Sequence, residues 1–275
     1  MGRSRPKERR DARGCGPAAQ GRSRLPPVEA VFAASLAVAI AAILVASLVA
    51  PSGGSPNSPQ RAAIVDQLSL TQPNPGFAAA ATDMLERAGY AVDYYPGEGV
   101  TVDFYRDLPQ RGYRLLVMRV HSALIRYREA EQPADDAGLF TSEPYSQTRY
   151  VEEQEGRAVV RAFYREDSAG YFGIAPRFVE SSMKGRFDGT LVIMMGCDGL
   201  TFTDLAEAFI QKGAAALVGW SKPVSASHTD AATLRLLEKL LVERLAVKDA
   251  VGQTAAEVGP DPAYGAELRV LERGG

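Results

Sequence analysis

The sequence predicts an α/β domain over residues 61–275, with a mostly parallel sheet between two layers of helices, preceded by one transmembrane helix. Three observations carry this. The candidate strands are unbroken apolar runs rather than in-out alternations, as strands covered on both faces must be. They alternate with segments of helical spacing, the pattern of a helix-covered parallel sheet. Ahead of them, residues 31–50 (VFAASLAVAIAAILVASLVA) contain no charge.

Residues 62–68 (AAIVDQL) read as the first strand. In 77–88, helical spacing puts Phe77, Ala80, Ala81, Met84, Leu85 and Ala88 on one face, and Gly89 ends the helix. Residues 90–95 form a second strand, and 101–108 a short helix opened by Thr101 and Asp103. The third strand, 113–120 (YRLLVMRV), runs into His121. Residues 122–190 are less regular. Within them, 150–153 and 158–164 read as a β-hairpin insertion around 154–157, and 176–183 as a short helix. The strand 190–195 (TLVIMM) leads into Gly196 and Cys197. Next come a helix over 203–212 capped by Thr203 and closed by Gly213, a strand over 214–219, and a helix over 230–245 built on Leu234, Leu237, Leu241 and Leu245. A last strand covers 267–271.

Composition narrows the function. The chain is 46% hydrophobic and 23% charged, ordinary for a folded protein. Two cysteines, Cys15 and Cys197, and two histidines, His121 and His228, exclude a disulfide scaffold and a closed Cys- or His-rich metal site. A sequence pI near 5.9 argues against nucleic acid as a partner. The chain contains neither GxGxxG after a strand nor GxxxxGK[ST], which removes dinucleotide and P-loop readings.

Charge is divided unevenly. Residues 1–27 carry eight basic and two acidic side chains, +6, whereas 28–275 carry 23 basic and 31 acidic, −8. Between them, twenty uncharged residues make a helix of roughly 30 Å, the thickness of a bilayer core. Pro51 directly after the span favours a retained anchor over a removed signal peptide. The expected organisation is therefore a basic cytoplasmic segment (1–27), a transmembrane helix in the lipid bilayer (28–50), a flexible Pro/Ser/Gly linker (51–60) and the α/β domain (61–275). By the positive-inside rule the domain lies outside a single-pass cell-membrane anchor.

Ligand crevices of open parallel sheets lie at the carboxyl ends of the strands. His121 and Cys197 both stand at such ends. An imidazole beside a thiol makes an activated nucleophile, and the N–H groups of the turn after Cys197 suit an oxyanion. Taken singly, a cysteine is more often a small buried hydrophobe, and a histidine at a strand end a hydrogen-bonding loop residue. The conjunction at two strand ends favours chemistry. Cys15, in the basic head, has no such context, and His228 reads as a loop residue ahead of a helix.

The order strand, His, insertion with hairpin, strand, Cys, helix, strand resembles the caspase-like cysteine peptidases, a superfamily that includes gingipains, legumains, separases and CHAT domains. The resemblance rests on RVHSA (119–123) and MMGCDGL (194–200). It is extended, in CHAT-like fashion, by residues 205–240 with Trp220, Val224 and Asp230, and by DPAYGAEL (261–268). It implies a caspase-like three-layer fold. It also implies His121 as general base, Cys197 as nucleophile, and an oxyanion hole from the backbone N–H groups of Ser122 and Cys197. Two positions depart from the family pattern: Ser122 stands where Gly is usual, and Gly196 where Ala is usual. The residue setting the first specificity pocket stays open among Asp66, Asp93 and Asp198. The implied activity is a membrane-anchored endopeptidase acting on peptide or protein substrates through a thioester, without cofactor or metal. The alternatives are an inactive domain that binds a peptide or protein partner, and a non-peptidase thiol acyl hydrolase.

Overall fold

A computed structural model describes residues 59–125, 136–164 and 170–274. The expected cytoplasmic segment, transmembrane helix and nearly all of the linker lie outside these residues. Among the described residues, no helix is long and apolar enough to cross a membrane.

The main sheet has six strands: β1 (Arg61–Asp66), β2 (Ala91–Pro96), β3 (Tyr113–Arg119), β8 (Leu191–Met194), β9 (Ala216–Trp220) and β10 (Leu268–Glu272). Their order is β10-β9-β8-β3-β1-β2, parallel throughout except for β10, which runs antiparallel to β9 at the edge. From β1 the chain moves outward to β2, then returns to build β3, β8 and β9 on the other side. This reversal between β1 and β3 is a topological switch point, where such sheets open a crevice.

Side chains alternate across each central strand and feed two cores. Ala63, Val65, Leu116, Met118, Val192 and Met194 face one side. There they meet α2 (Val102–Asp107), α4 (Pro176–Ser181) and α5 (Asp204–Gln211) through Phe104, Phe178 and Phe209. Ala62, Ile64, Leu115, Val117 and Ile193 face the other side. They pack on α1 (Pro75–Arg87), α6 (Ala226–Leu241) and α7 (Val247–Val258) through Phe77, Leu85, Leu236, Leu237 and Val251. The apolar runs of the sequence are thus strands buried on both faces.

Residues 122–174 add a second, antiparallel sheet of order β4-β5-β7-β6, from β4 (Ser122–Leu124), β5 (Ala137–Pro144), β6 (Val159–Ala162) and β7 (Tyr171–Ile174). Leu139, Phe172 and Ile174 seat it on the α2–α4–α5 side of the core. This corrects the expected hairpin. Its first arm is instead α3 (Val151–Glu155), entered through a left-handed Tyr150 (φ 54°), and β6 pairs with β7. The run VEEQE has one apolar residue in five and good helix formers elsewhere, so it lacks the alternation of a strand.

Helix ends depart from the sequence reading at two places. Thr203 does not cap α5 with its side chain; its backbone is already helical (φ −97°, ψ −13°), and its hydroxyl donates to Glu207 Oε1 (2.6 Å). Helix α6 begins at Ala226 and ends at Leu241, so His228 is helical rather than in a loop, and residues 247–258 form the additional helix α7.

Candidate active site at the carboxyl edge of the sheet

β3 and β8 are adjacent and parallel, with Met118 opposite Met194, and the Met195 N–H extends the ladder to Met118 O (3.0 Å). His121 and Cys197 each lie three residues beyond that matched pair. Equal overhangs from paired parallel strands bring both residues to one edge. They line a single half-open cleft with Leu68, Gln72, Val120, Met195, Gly196, Val224, Ala226 and Thr229. It encloses about 20 Å3, room for one water-sized group.

The imidazole is held from several sides. Its Nε2 is 2.9 Å from Thr71 Oγ1. The His121 backbone N–H donates to Gln67 Oε1 (3.0 Å), and its carbonyl accepts from the Phe140 N–H (2.9 Å). Tyr164 lies against the ring at 4.7 Å between centroids, with Phe140 stacked behind it at 5.1 Å. Gln67 ties the two together, because its Nε2 donates to Tyr164 Oη (2.9 Å). Burial, reinforced by the positive charge of Arg119, pulls the His121 pKa down to about 4. The imidazole is therefore neutral at neutral pH, and a weaker base than a free imidazole.

Cys197 is buried and belongs to no disulfide. Its Sγ accepts from the Val224 N–H at 3.4 Å and lies 3.8 Å from Val224 O. The chain turns sharply after it. Asp198 adopts a left-handed conformation (φ 60°), which an L-residue takes only under constraint, although Asp tolerates it better than most. The constraint is the pair of bonds from Asp198 N–H to Lys222 O (3.1 Å) and from Leu200 N–H to Trp220 O (2.9 Å). The Asp198 carboxyl is pushed up by burial, an effect opposed by the Thr201 hydroxyl at 2.8 Å.

The two departures from the family pattern meet in space. The Ser122 hydroxyl donates to the Cys197 carbonyl. A Cβ on residue 196 would lie 2.3 Å from Ser122 Oγ and 2.5 Å from Val120 O. Gly196 thus vacates the volume that the Ser122 hydroxymethyl fills. Because His121 bonds across to β5, its neighbour Ser122, paired with Leu139, turns its N–H the opposite way, toward Gly196 and Cys197.

Beneath the cleft lies a buried ionic network that the sequence reading missed. Arg119, 1% exposed, donates through Nε and Nη2 to both oxygens of Asp230 (2.8 and 3.0 Å) and through Nη1 to Asp66 Oδ1 (2.8 Å). Its Nη2 also reaches Gln72 O (2.8 Å). Tyr94 and Asn74 complete the carboxylates, donating to Asp66 Oδ2 (3.0 Å) and Asp230 Oδ2 (2.8 Å). Of the specificity candidates, Asp66 is thus paired with Arg119, and Asp198 sits in the turn behind Cys197. Asp93 is far from the cleft: it pairs with Arg61 and Tyr113 at the amino-terminal edge of the sheet. Arg119 carried a legible signal, since an arginine inside a strand buried on both faces demands a carboxylate partner. Thr71, Gln67 and Tyr164 are distant in sequence and carried none.

The half-buried imidazole sets a pH dependence. Its folded-state pKa, about 4, lies below the ordinary 6.5, so its contribution to stability is complete above 6.5 and is lost as pH falls through 4. We expect thermal midpoints to decline across that window by the equivalent of up to about 3 kcal/mol. His121→Gln should flatten this part of the curve, and an unchanged curve would contradict it. No protein-family model matches the chain, and no curated protein matches it.

Proposed function

We propose that the chain is a caspase-like, membrane-anchored cysteine endopeptidase whose nucleophile is Cys197 and whose general base is His121. The supporting observation is the matched overhang of β3 and β8, which brings thiol and imidazole to one cleft. The mechanism takes the tautomer in which the neutral imidazole donates from Nε2 to Thr71 Oγ1, 2.9 Å away, which leaves Nδ1 as the proton acceptor. In this mechanism the Cys197 proton moves to the neutral imidazole during attack. Cys197 Sγ adds to the scissile carbonyl carbon as its proton passes to His121, and the Ser122 and Cys197 N–H groups stabilise the oxyanion. The C–N bond then breaks, the imidazolium protonates the leaving amine, and a thioester remains. Water, deprotonated by His121, attacks the thioester, and the sulfur leaves and recovers the proton.

The small volume of the cleft and the low exposure of Cys197 favour a second reading, an inactive domain that binds a peptide or protein partner over the same edge. A peptidyl thiol-reactive probe separates the two. The peptidase forms a Cys197 adduct whose rate depends on His121, whereas the binding domain forms none.

The anchor proposal rests on the +6 head and the uncharged span before the domain. Protease added outside intact cells should digest the domain. Digestion only after lysis would overturn the proposed orientation.

A further inference from the structure

We infer that the cleft accepts a small, uncharged acyl residue, of glycine, alanine or serine type, and that Arg119 determines this specificity by neutralising Asp66 and Asp230 under the cleft floor. The inference rests on the peptidase reading and names its substrate class.

Charge is the first argument. β1 brings Asp66, and α6 brings Asp230, to the space under the carboxyl ends of β1 and β3. Two converging buried carboxylates would make a receptor for a substrate guanidinium or ammonium group. Here that position is already filled. Arg119 makes a two-pronged contact with Asp230, a third bond to Asp66 and a fourth to Gln72 O. The second oxygens of both carboxylates are taken by Tyr94 and Asn74. A cationic substrate side chain finds every carboxylate oxygen of this network already bonded and its charge already paired with Arg119, and an anionic one finds no free cation among the described residues there. Among the described residues, the cleft surface itself is Leu68, Val120, Met195, Val224 and Ala226, with the neutral polar groups of Gln72 and Thr229. A charged side chain would lose its hydration there without compensation.

Size is the second argument. About 20 Å3, in a cleft that also holds Cys197 and His121, leaves room for one water-sized group, so only a very small side chain fits beside the reacting carbonyl. The floor has little room to recede, because Arg119, Asp66 and Asp230 are all at most 5% exposed and bonded to one another.

The test uses the full-length chain in detergent and peptidyl acyloxymethyl ketones that differ only in the acyl residue: Gly, Ala, Leu, Arg and Glu. Adduct formation on Cys197 is followed by mass spectrometry. We expect the Gly and Ala probes to react about 100-fold faster than Arg or Glu, with Leu about tenfold slower than Ala. In Arg119→Met the Arg probe should gain at least about tenfold relative to Ala, because the two carboxylates are released. Methylguanidinium should raise the thermal midpoint of that variant saturably and leave the wild type unmoved. Equal rates for Ala and Arg probes in the wild type would overturn the inference while leaving the peptidase reading intact. If no probe labels Cys197 in a His121-dependent manner, the peptidase reading falls instead, and the methylguanidinium response alone decides whether Arg119 fills a cation site. Should Arg119→Met fail to fold, the wild-type rate series remains decisive.

Discussion

On the proposed mechanism, Cys197→Ala should abolish covalent labelling and turnover, and His121→Ala should lower the rate of acylation by about 10²–10⁴-fold, the usual contribution of a general base. The alanine exchange at 197 removes only the sulfur from a buried position, so the fold should survive and the thermal midpoint move little. His121→Ala is more disruptive, because the ring packs on Tyr164 and Phe140. The rate must therefore be compared with that of His121→Gln, which keeps bulk without supplying a base. The pH profile gives an independent check. With the imidazole pKa near 4, wild-type labelling should show no break at 6.5 and should follow the thiol at its alkaline end. If neither His121 variant alters the rate, the imidazole is a bystander and the dyad is refuted.

Gly196→Ala should cost about 2–3 kcal/mol, a fall in thermal midpoint of roughly 5–10 °C, and should impair labelling as well. The new methyl group would press on the Ser122 hydroxyl at 2.3 Å and on the Val120 carbonyl at 2.5 Å. The hydroxyl can be removed; the carbonyl, at the end of β3, cannot retreat without moving His121. Ser122→Gly combined with Gly196→Ala, the arrangement usual in the resembled family, should therefore recover part of the loss and not all of it. Full recovery would show that β3 yields more readily than its packing suggests, and an undiminished midpoint in Gly196→Ala would refute the steric argument.

The sheet was legible because physics marks its strands plainly. Residues 113–120 and 190–195 are apolar on both faces, and helices cover both faces. The positions of His121 and Cys197 followed from the same runs, since a strand that stops defines its edge. Less was legible where signals compete. VEEQE flanked by a tyrosine and a glycine resembles a turn region, and its helix depends on a left-handed Tyr150 that composition does not announce. Helix α7 (VKDAVGQTAAEV) buries only Ala250, Val251 and Thr254, a face of small residues with little contrast to solvent. The surroundings of the imidazole were illegible for another reason: Thr71 and Tyr164 come from loops 50 residues upstream and 43 downstream, joined to His121 only by the fold.

The first turn of α6 is fastened to the sheet at several points. Thr229 accepts from Trp220 Nε1 (2.9 Å) and donates to Met195 O (3.0 Å), Asp230 holds Arg119, and Asp261 receives the Ser225 N–H (2.9 Å). Strands β3, β8 and β9 and the tail before β10 are thus stitched through one helical turn, so fluctuations that loosen it must disrupt the core itself. Amide hydrogens of α6 next to Thr229 and Asp230 should exchange with deuterium only through global unfolding. On the opposite side, Tyr164 is held by ring contacts and a hydrogen bond from Gln67, and amides around it should exchange through smaller, local openings. The two sides of the cleft should therefore differ in mobility: the wall on α6 should move only with the core, whereas Tyr164 should rearrange at smaller energetic cost.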